Sequence, residues 1–241
     1  MHWEDIERTR EQSFADFFAG KLPLIPSAHD PLSAQALEQK GFRMAVLPTE
    51  DVSRVYGYTS SYMLNAMEML ATAKTITQVT ALALLVQLPL DARSSQQIVR
   101  QAYELRQLGI QAIQIDDEKI HATEELTQVI VQMKHYFPEM RIVMTIRADA
   151  SIAGIEKAVK KANQLLHAGA DFVMFEGLYT EGEYLYTYQY TNGPLLAVLN
   201  ETKEQSLSYT QLNDMGYHAT IVRGGCINRM KKIYEEAYND A

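Results

Sequence analysis

Short apolar runs alternate with amphipathic stretches along the whole chain. The runs read as strands at Leu22–Ala28, Met44–Thr49, Ala81–Pro89, Ala112–Asp117, Arg141–Asp149, Asp171–Gly177, Leu195–Asn200 and His218–Gly224. Each is short, rich in aliphatic or β-branched residues and bounded by turn residues, the pattern of parallel strands buried on both faces. Between them the apolar positions recur at helical spacing. In "SSQQIVRQAYELRQLG" they are Ile98, Ala102, Leu105 and Leu108, and in "GIEKAVKKANQLLHAG" they are Ile155, Val159, Ala162 and Leu166. Gly41, Gly109, Gly169 and Gly216 each precede a strand, where a helix end in the left-handed conformation needs no Cβ. "TEGEYLYTYQY", Thr180–Tyr190, alternates like a strand but stands where a helix is due, and is expected to form a helix or a tyrosine-rich loop.

Eight strand units, each followed by a connection able to carry a helix, specify a single (β/α)8 barrel, an α/β fold with an N-terminal helix before it. A doubly wound open sheet is the rival. The barrel is preferred because eight units consume the chain from Leu22 onward without a leftover segment. The expectation is one domain over residues 1–241.

Composition narrows the function. A net charge of -8 argues against nucleic acid, which wants a basic face. Cys226 is the only cysteine, so neither an intramolecular disulfide nor a cysteine zinc site is available. The first residues are charged and lack an apolar signal core, and no run approaches membrane-spanning length. The expected address is the cytoplasm, with no membrane partner.

Barrel sites form at the C-terminal ends of the strands. Those ends carry Ser27, His29, Asp30, Thr49, Glu50, Gln87, Asp91, Asp116, Asp117, Arg147, Asp149, Glu176, Asn200 and Arg223. Asp30 before Pro31 reads as a helix cap. Asp116 and Asp117 are adjacent on a strand, so only one of them can face the mouth. Arg147, ending an apolar strand, must meet a carboxylate, a phosphate or water. Its expected structural partners are Asp149 or Glu176. Asp116 with Glu176 can offer two oxygens to a hard cation.

Five stretches in order resemble the isocitrate lyase/phosphoenolpyruvate mutase superfamily. "IPSAHDPLSAQALEQKGFRMAVL" is similar to its opening strand and Asp-x-x-Ser-Ala helix, and "LGIQAIQIDD" to its Ile-Glu-Asp strand. "IVMTIRADA" resembles its Ala-Arg-Thr-Asp-Ala strand, and "HAGADFVMFEGL" its Ala-Gly-Ala-Asp-x-Ile-Phe-Val-Glu segment. "LLAVLNETKEQSLSYTQLNDMGY" is similar to its Asn-x-Thr-Glu stretch and the Ser-x-x-Glu-Leu that follows.

The resemblance implies a magnesium-dependent barrel that performs lyase or mutase chemistry on a small α-oxo or hydroxy carboxylate, or on a phosphonate. The metal stabilises an enolate-type intermediate. It implies Asp116 as a metal-linked acid, and Arg147, Glu176, Asn200 and Ser27 as substrate-binding residues. The family's Asp-x-Asp-x-Gly motif on strand three falls on Gln87-Leu-Pro-Leu-Asp91, so Gln87 and Pro89 replace both acids, and Asp91, on a glycine position, can join Asp116 at a metal only if the strand end bends at Pro89. The strand-four gate is reduced to Lys119 and His121 in "DDEKIHATEELTQV". Three functions stay open: an active enzyme with an altered metal site, a catalytically degenerate barrel that binds a small anion or a protein partner, or metal-independent chemistry in the same pocket. The family's exchange of terminal helices is not expected here, and a homo-oligomer, if one forms, is expected to associate through other faces.

Overall fold

The computed structural model describes residues 3–21, 23–89, 94–118, 122–149, 151–200 and 207–237. Helix α1 (Trp3–Phe18) precedes the alternation β1 (Leu24–Pro26), α2 (Pro31–Gln39), β2 (Met44–Leu47), α3 (Thr49–Val55), α4 (Ala66–Val79), β3 (Ala83–Gln87) and α5 (Ser95–Arg106). It continues with β4 (Ala112–Asp116), α6 (Thr123–Tyr136), β5 (Arg141–Arg147), α7 (Ile152–His167), β6 (Phe172–Glu176) and α8 (Glu181–Tyr190). The last elements are β7 (Leu195–Asn200), α9 (Tyr209–Asp214), β8 (Ala219–Arg223) and α10 (Gly225–Ala237).

All eight strands are parallel, in the order β1-β8-β7-β6-β5-β4-β3-β2. The seam between β1 and β2 is drawn together by a bridge from Ser27 to Val46 and by Ala28 N–H donating to Val46 O at 2.8 Å. The result is a nearly closed (β/α)8 barrel.

Local chemistry explains the helix boundaries. Asp30 caps α2, accepting from Ser33 N–H at 2.7 Å, with Pro31 in the first turn. Ser94, Ser151 and Thr180 cap α5, α7 and α8 in the same way. The tyrosine-rich segment is therefore a helix, one that packs Tyr184 and Thr187 inward and leaves Leu185 and Tyr190 exposed. Gly41, Gly109, Gly169 and Gly216 all have positive φ, as helix-to-strand turns require. On α7 the inner stripe is Ile155, Val159, Ala162 and Leu165, with Leu166 only half-buried, because 3.6-residue spacing turns the last position inward one residue early. Helix α3, directly after β2, is an element the apolar pattern did not announce.

Alternation along the strands divides the core in two. Outward residues such as Leu84, Val86, Ile113, Ile142, Met144 and Val173 join the helices in one cluster. Inward residues, among them Ile25, Val46, Leu85, Val143, Met174 and Ile221, fill the barrel. Its floor is closed by α1. Phe17 packs against Phe172 and His218, with centroids 5.1 Å from each, and His218 Nε2–H donates to Phe17 O at 2.6 Å. The opposite end, at the strand C-termini, is where the inward positions turn polar.

Candidate functional site at the barrel mouth

Above the apolar filling, the same inward parity turns polar. On β4 it runs from Ala112 through Gln114 to Asp116, and on β5 from Val143 through Thr145 to Arg147. Ser27, Gln87, Glu176 and Arg223 continue the inward rows of β1, β3, β6 and β8. These side chains stack in tiers. Gln114 Nε2 donates to Thr145 Oγ1 at 2.8 Å, and both residues are fully buried. Arg223 donates from one terminal nitrogen to Gln114 Oε1 at 3.1 Å and from the other to Glu176 Oε1. Arg147 lies outermost, half-exposed, 3.2 Å from Glu118 Oε2 and 3.7 Å from Glu176 Oε2. Tyr62, from the short turn before α4, donates its hydroxyl to Glu118.

Asp116 is the buried acid of this mouth. Gln87 joins it to the end of β2: Gln87 Oε1 accepts from Thr49 N–H at 3.1 Å, and Nε2 faces Asp116 Oδ2 at 3.4 Å. Burial first, and then the charge of Glu176, push the Asp116 carboxyl up to about 7, against the pull of Arg223 and Arg147. Three buried polar atoms here, Ser27 Oγ, Asp116 Oδ1 and Arg223 Nε, find no partner among the described residues. Register pairs Pro26 with Val222, so Ser27 and Arg223 are the next neighbours on adjoining strands.

An acid that holds its proton in the fold to about pH 7, and releases it from the unfolded chain near pH 4, binds more protons folded than unfolded between those limits. Stability contributed at that site therefore falls as pH rises through this window and is constant above it. Asp116→Asn is expected to flatten that slope, which is at most about 1.4 kcal/mol per pH unit. Urea denaturation of both proteins at about pH 5 and about pH 8 reads it.

The remaining strand-end residues do other work. Asp117 turns outward, accepting from Lys161 Nζ at 2.8 Å and from Arg147 N–H at 3.1 Å, so Asp116 alone of the pair faces the mouth. Asp30 caps α2, Glu50 lies 3.6 Å from Arg54, and Asp149 is exposed rather than paired with Arg147. His29 is completely buried, and desolvation pushes its imidazole below the ordinary range despite the charges of Asp30 and Asp51. Asn200 ends β7 in register with Arg223, but its side chain lies outside the described part. Asp91, Lys119 and His121 also lie outside the described residues. Sequence reasoning missed Gln114, Glu118, Tyr62 and Lys161, whose roles arise from register and loop paths; a mid-strand glutamine in an apolar run was the one available signal.

The magnesium implied by the family resemblance does not fit the donors on the described residues. None of them form a group of three or more His, Cys, Asp or Glu side chains placed to hold a metal. Glu176 is engaged by Arg223, and Asp116 meets an amide donor.

Among the described residues the polar interior of this (β/α)8 barrel lies toward the strand C-termini, the end where barrels of this architecture carry their sites. The particular family follows from comparison. The phosphoenolpyruvate phosphomutase family model matches residues 14–239, and the chain belongs to that family. Among curated relatives, 2-methylisocitrate lyase of Halalkalibacterium halodurans is 25% identical over 227 residues, covering 89% of this chain and 75% of the relative. The Bacillus subtilis 2-methylisocitrate lyase is 26% identical over 239 residues, covering 92% and 79%. Among solved structures, oxaloacetate acetylhydrolase in complex with the product oxalate superposes with a TM-score of 0.84 at 16% identity, covering 95% of this chain and 85% of that one. Phosphonopyruvate hydrolase in complex with oxalate and Mg++ gives 0.79 at 18% identity, covering 96% and 87%. Superfamily members thus include lyases and mutases acting on small carboxylates. No helix among the described residues is long and apolar enough to cross a membrane.

Proposed function

We propose that the barrel mouth is a lyase- or mutase-type site for a small α-oxo or α-hydroxy carboxylate. The observation that carries this reading is the trio of unpartnered buried atoms, Ser27 Oγ, Arg223 Nε and Asp116 Oδ1, set among two guanidinium groups. Donors already stripped of water cost free energy until an acceptor arrives, and a carboxylate supplies two. Ser27 and Arg223 Nε donate to the ligand's oxygens, and Asp116 holds or releases a proton near neutral pH. Arg147 closes the mouth from outside by turning its exposed fork from Glu118 to the ligand. The family relationship and the oxalate-bound neighbours support the ligand class.

A second reading, ligand binding without turnover, is favoured by one observation: Arg223 neutralises Glu176, so that among the described inward acids Asp116 alone is left without a cationic partner at ion-pair distance. Cleavage assays with 2-methylisocitrate and 2,3-dimethylmalate, the compounds for which relatives and neighbours are named, separate the two. Calorimetric titration with oxalate tests the shared claim. Wild type is expected to bind, and Arg147→Ala to bind at least about tenfold more weakly, a loss of about 1.4 kcal/mol. Equal affinity in the two proteins would overturn the assignment of Arg147 and, with it, the carboxylate reading.

A further inference from the structure

We infer that the described residues of the barrel mouth hold no divalent cation, the Gln87 carboxamide and the Arg223 guanidinium standing as the donors that face Asp116 and Glu176. The inference rests on the carboxylate site proposed above for the identity of its ligand.

The orientation of Gln87 is fixed by chemistry. Thr49 N–H is a donor, so the group facing it at 3.1 Å must be the amide oxygen. The NH2 group is then forced to the other side, toward Asp116 Oδ2 at 3.4 Å. A cation on that oxygen would have to approach beside the N–H that the carboxamide already points at it. Reversing the amide would free an oxygen for the cation but set its NH2 against Thr49 N–H, donor against donor, in a buried place. The neighbouring residue therefore keeps the amide in the orientation that opposes metal binding.

Glu176 and Gln114, the other inward oxygens of β6 and β4, both accept from Arg223. That guanidinium is almost wholly withdrawn from water, its side chain 12% exposed. Arg147 adds a second positive group 3.7 Å from the same Glu176. A small dication such as magnesium requires near-octahedral oxygen and dehydrates reluctantly. Here it would have to displace a buried guanidinium from its carboxylate and then lie beside it. The positive charge that a bound carboxylate needs is already built into the chain.

Two measurements on metal-stripped wild-type protein decide the matter. Titration with Mn2+, followed by electron paramagnetic resonance of the free ion, is expected to show no saturable site below the millimolar range; a micromolar site overturns the inference. Calorimetry with oxalate is expected to give affinities equal within about twofold in excess EDTA and in excess Mg2+; a gain of about tenfold or more with Mg2+ overturns it. Gln87→Asp supplies the contrast, since its carboxylate removes the NH2 and adds oxygen. Oxalate binding by this variant is expected to become at least about tenfold tighter with Mg2+ than with EDTA. If Gln87→Asp stays indifferent to the ion while folded, Gln87 is not what excludes it and the inference falls. Should oxalate bind in neither buffer, the carboxylate reading fails, while the Mn2+ titration still judges the cation question alone.

Discussion

Arg223→Met is expected to lower the free energy of unfolding by about 3–5 kcal/mol and to abolish oxalate binding. The size follows from what the side chain leaves behind. Glu176 loses its close partner and keeps only Arg147 at 3.7 Å, itself shared with Glu118. Gln114 Oε1, in a fully buried side chain, loses its donor altogether. Uncompensated buried charge costs more than the ion pair gains, so removing both partners should hurt less than removing one. The double variant Arg223→Met with Glu176→Met is therefore expected to recover most of the lost stability and none of the binding. Urea denaturation of the three proteins reads the first effect and calorimetry the second. If Arg223→Met is as stable as wild type, the inner tiers are not held by this pairing.

The second large effect lies at the other end of the barrel. Phe17→Ala is expected to cost about 3–5 kcal/mol, the range for emptying a large aromatic from a core. Phe17 is buried between Phe18, Phe172 and His218, and its carbonyl is the acceptor for His218. The helix carrying it is what closes the barrel floor, so the truncation opens a cavity lined by Phe172 rather than trimming a surface. Because the mouth is far along the barrel axis, oxalate affinity at low temperature should be unchanged while the unfolding midpoint falls. A Phe17→Ala protein with wild-type stability would show that α1 is an accessory rather than a plug.

The strands were legible in the sequence because parallel strands buried on both faces leave uninterrupted apolar runs, and all eight form. Their ends were less legible. Parity showed that one of Asp116 and Asp117 must face inward, and the structure assigns that place to Asp116 by sending Asp117 to Lys161. What sequence did not disclose was pairing between strands. Whether Arg147 meets Asp149, Glu176 or Glu118 depends on register and loop path. The structure gives the latter two and leaves Asp149 exposed. Arg223 stood in the strand-end ring as one polar residue among many, and only the barrel's closure brings it to Glu176 and Gln114. Gln87 was visible as the residue in place of an acid. Its consequence, an amide locked by Thr49 N–H, needed α3 to begin directly after β2, which no apolar pattern signalled.

In the proposed site a small carboxylate is held by side chains alone. A crystal structure of wild-type protein grown with oxalate and EDTA tests it most directly. Oxalate is expected within hydrogen-bond distance of Ser27 Oγ and Arg223 Nε, with Gln87 still bonded to Thr49 N–H. Oxalate bound away from these atoms, or seen in the mouth only when Mg2+ replaces EDTA and bridges it to Asp116, would contradict the account.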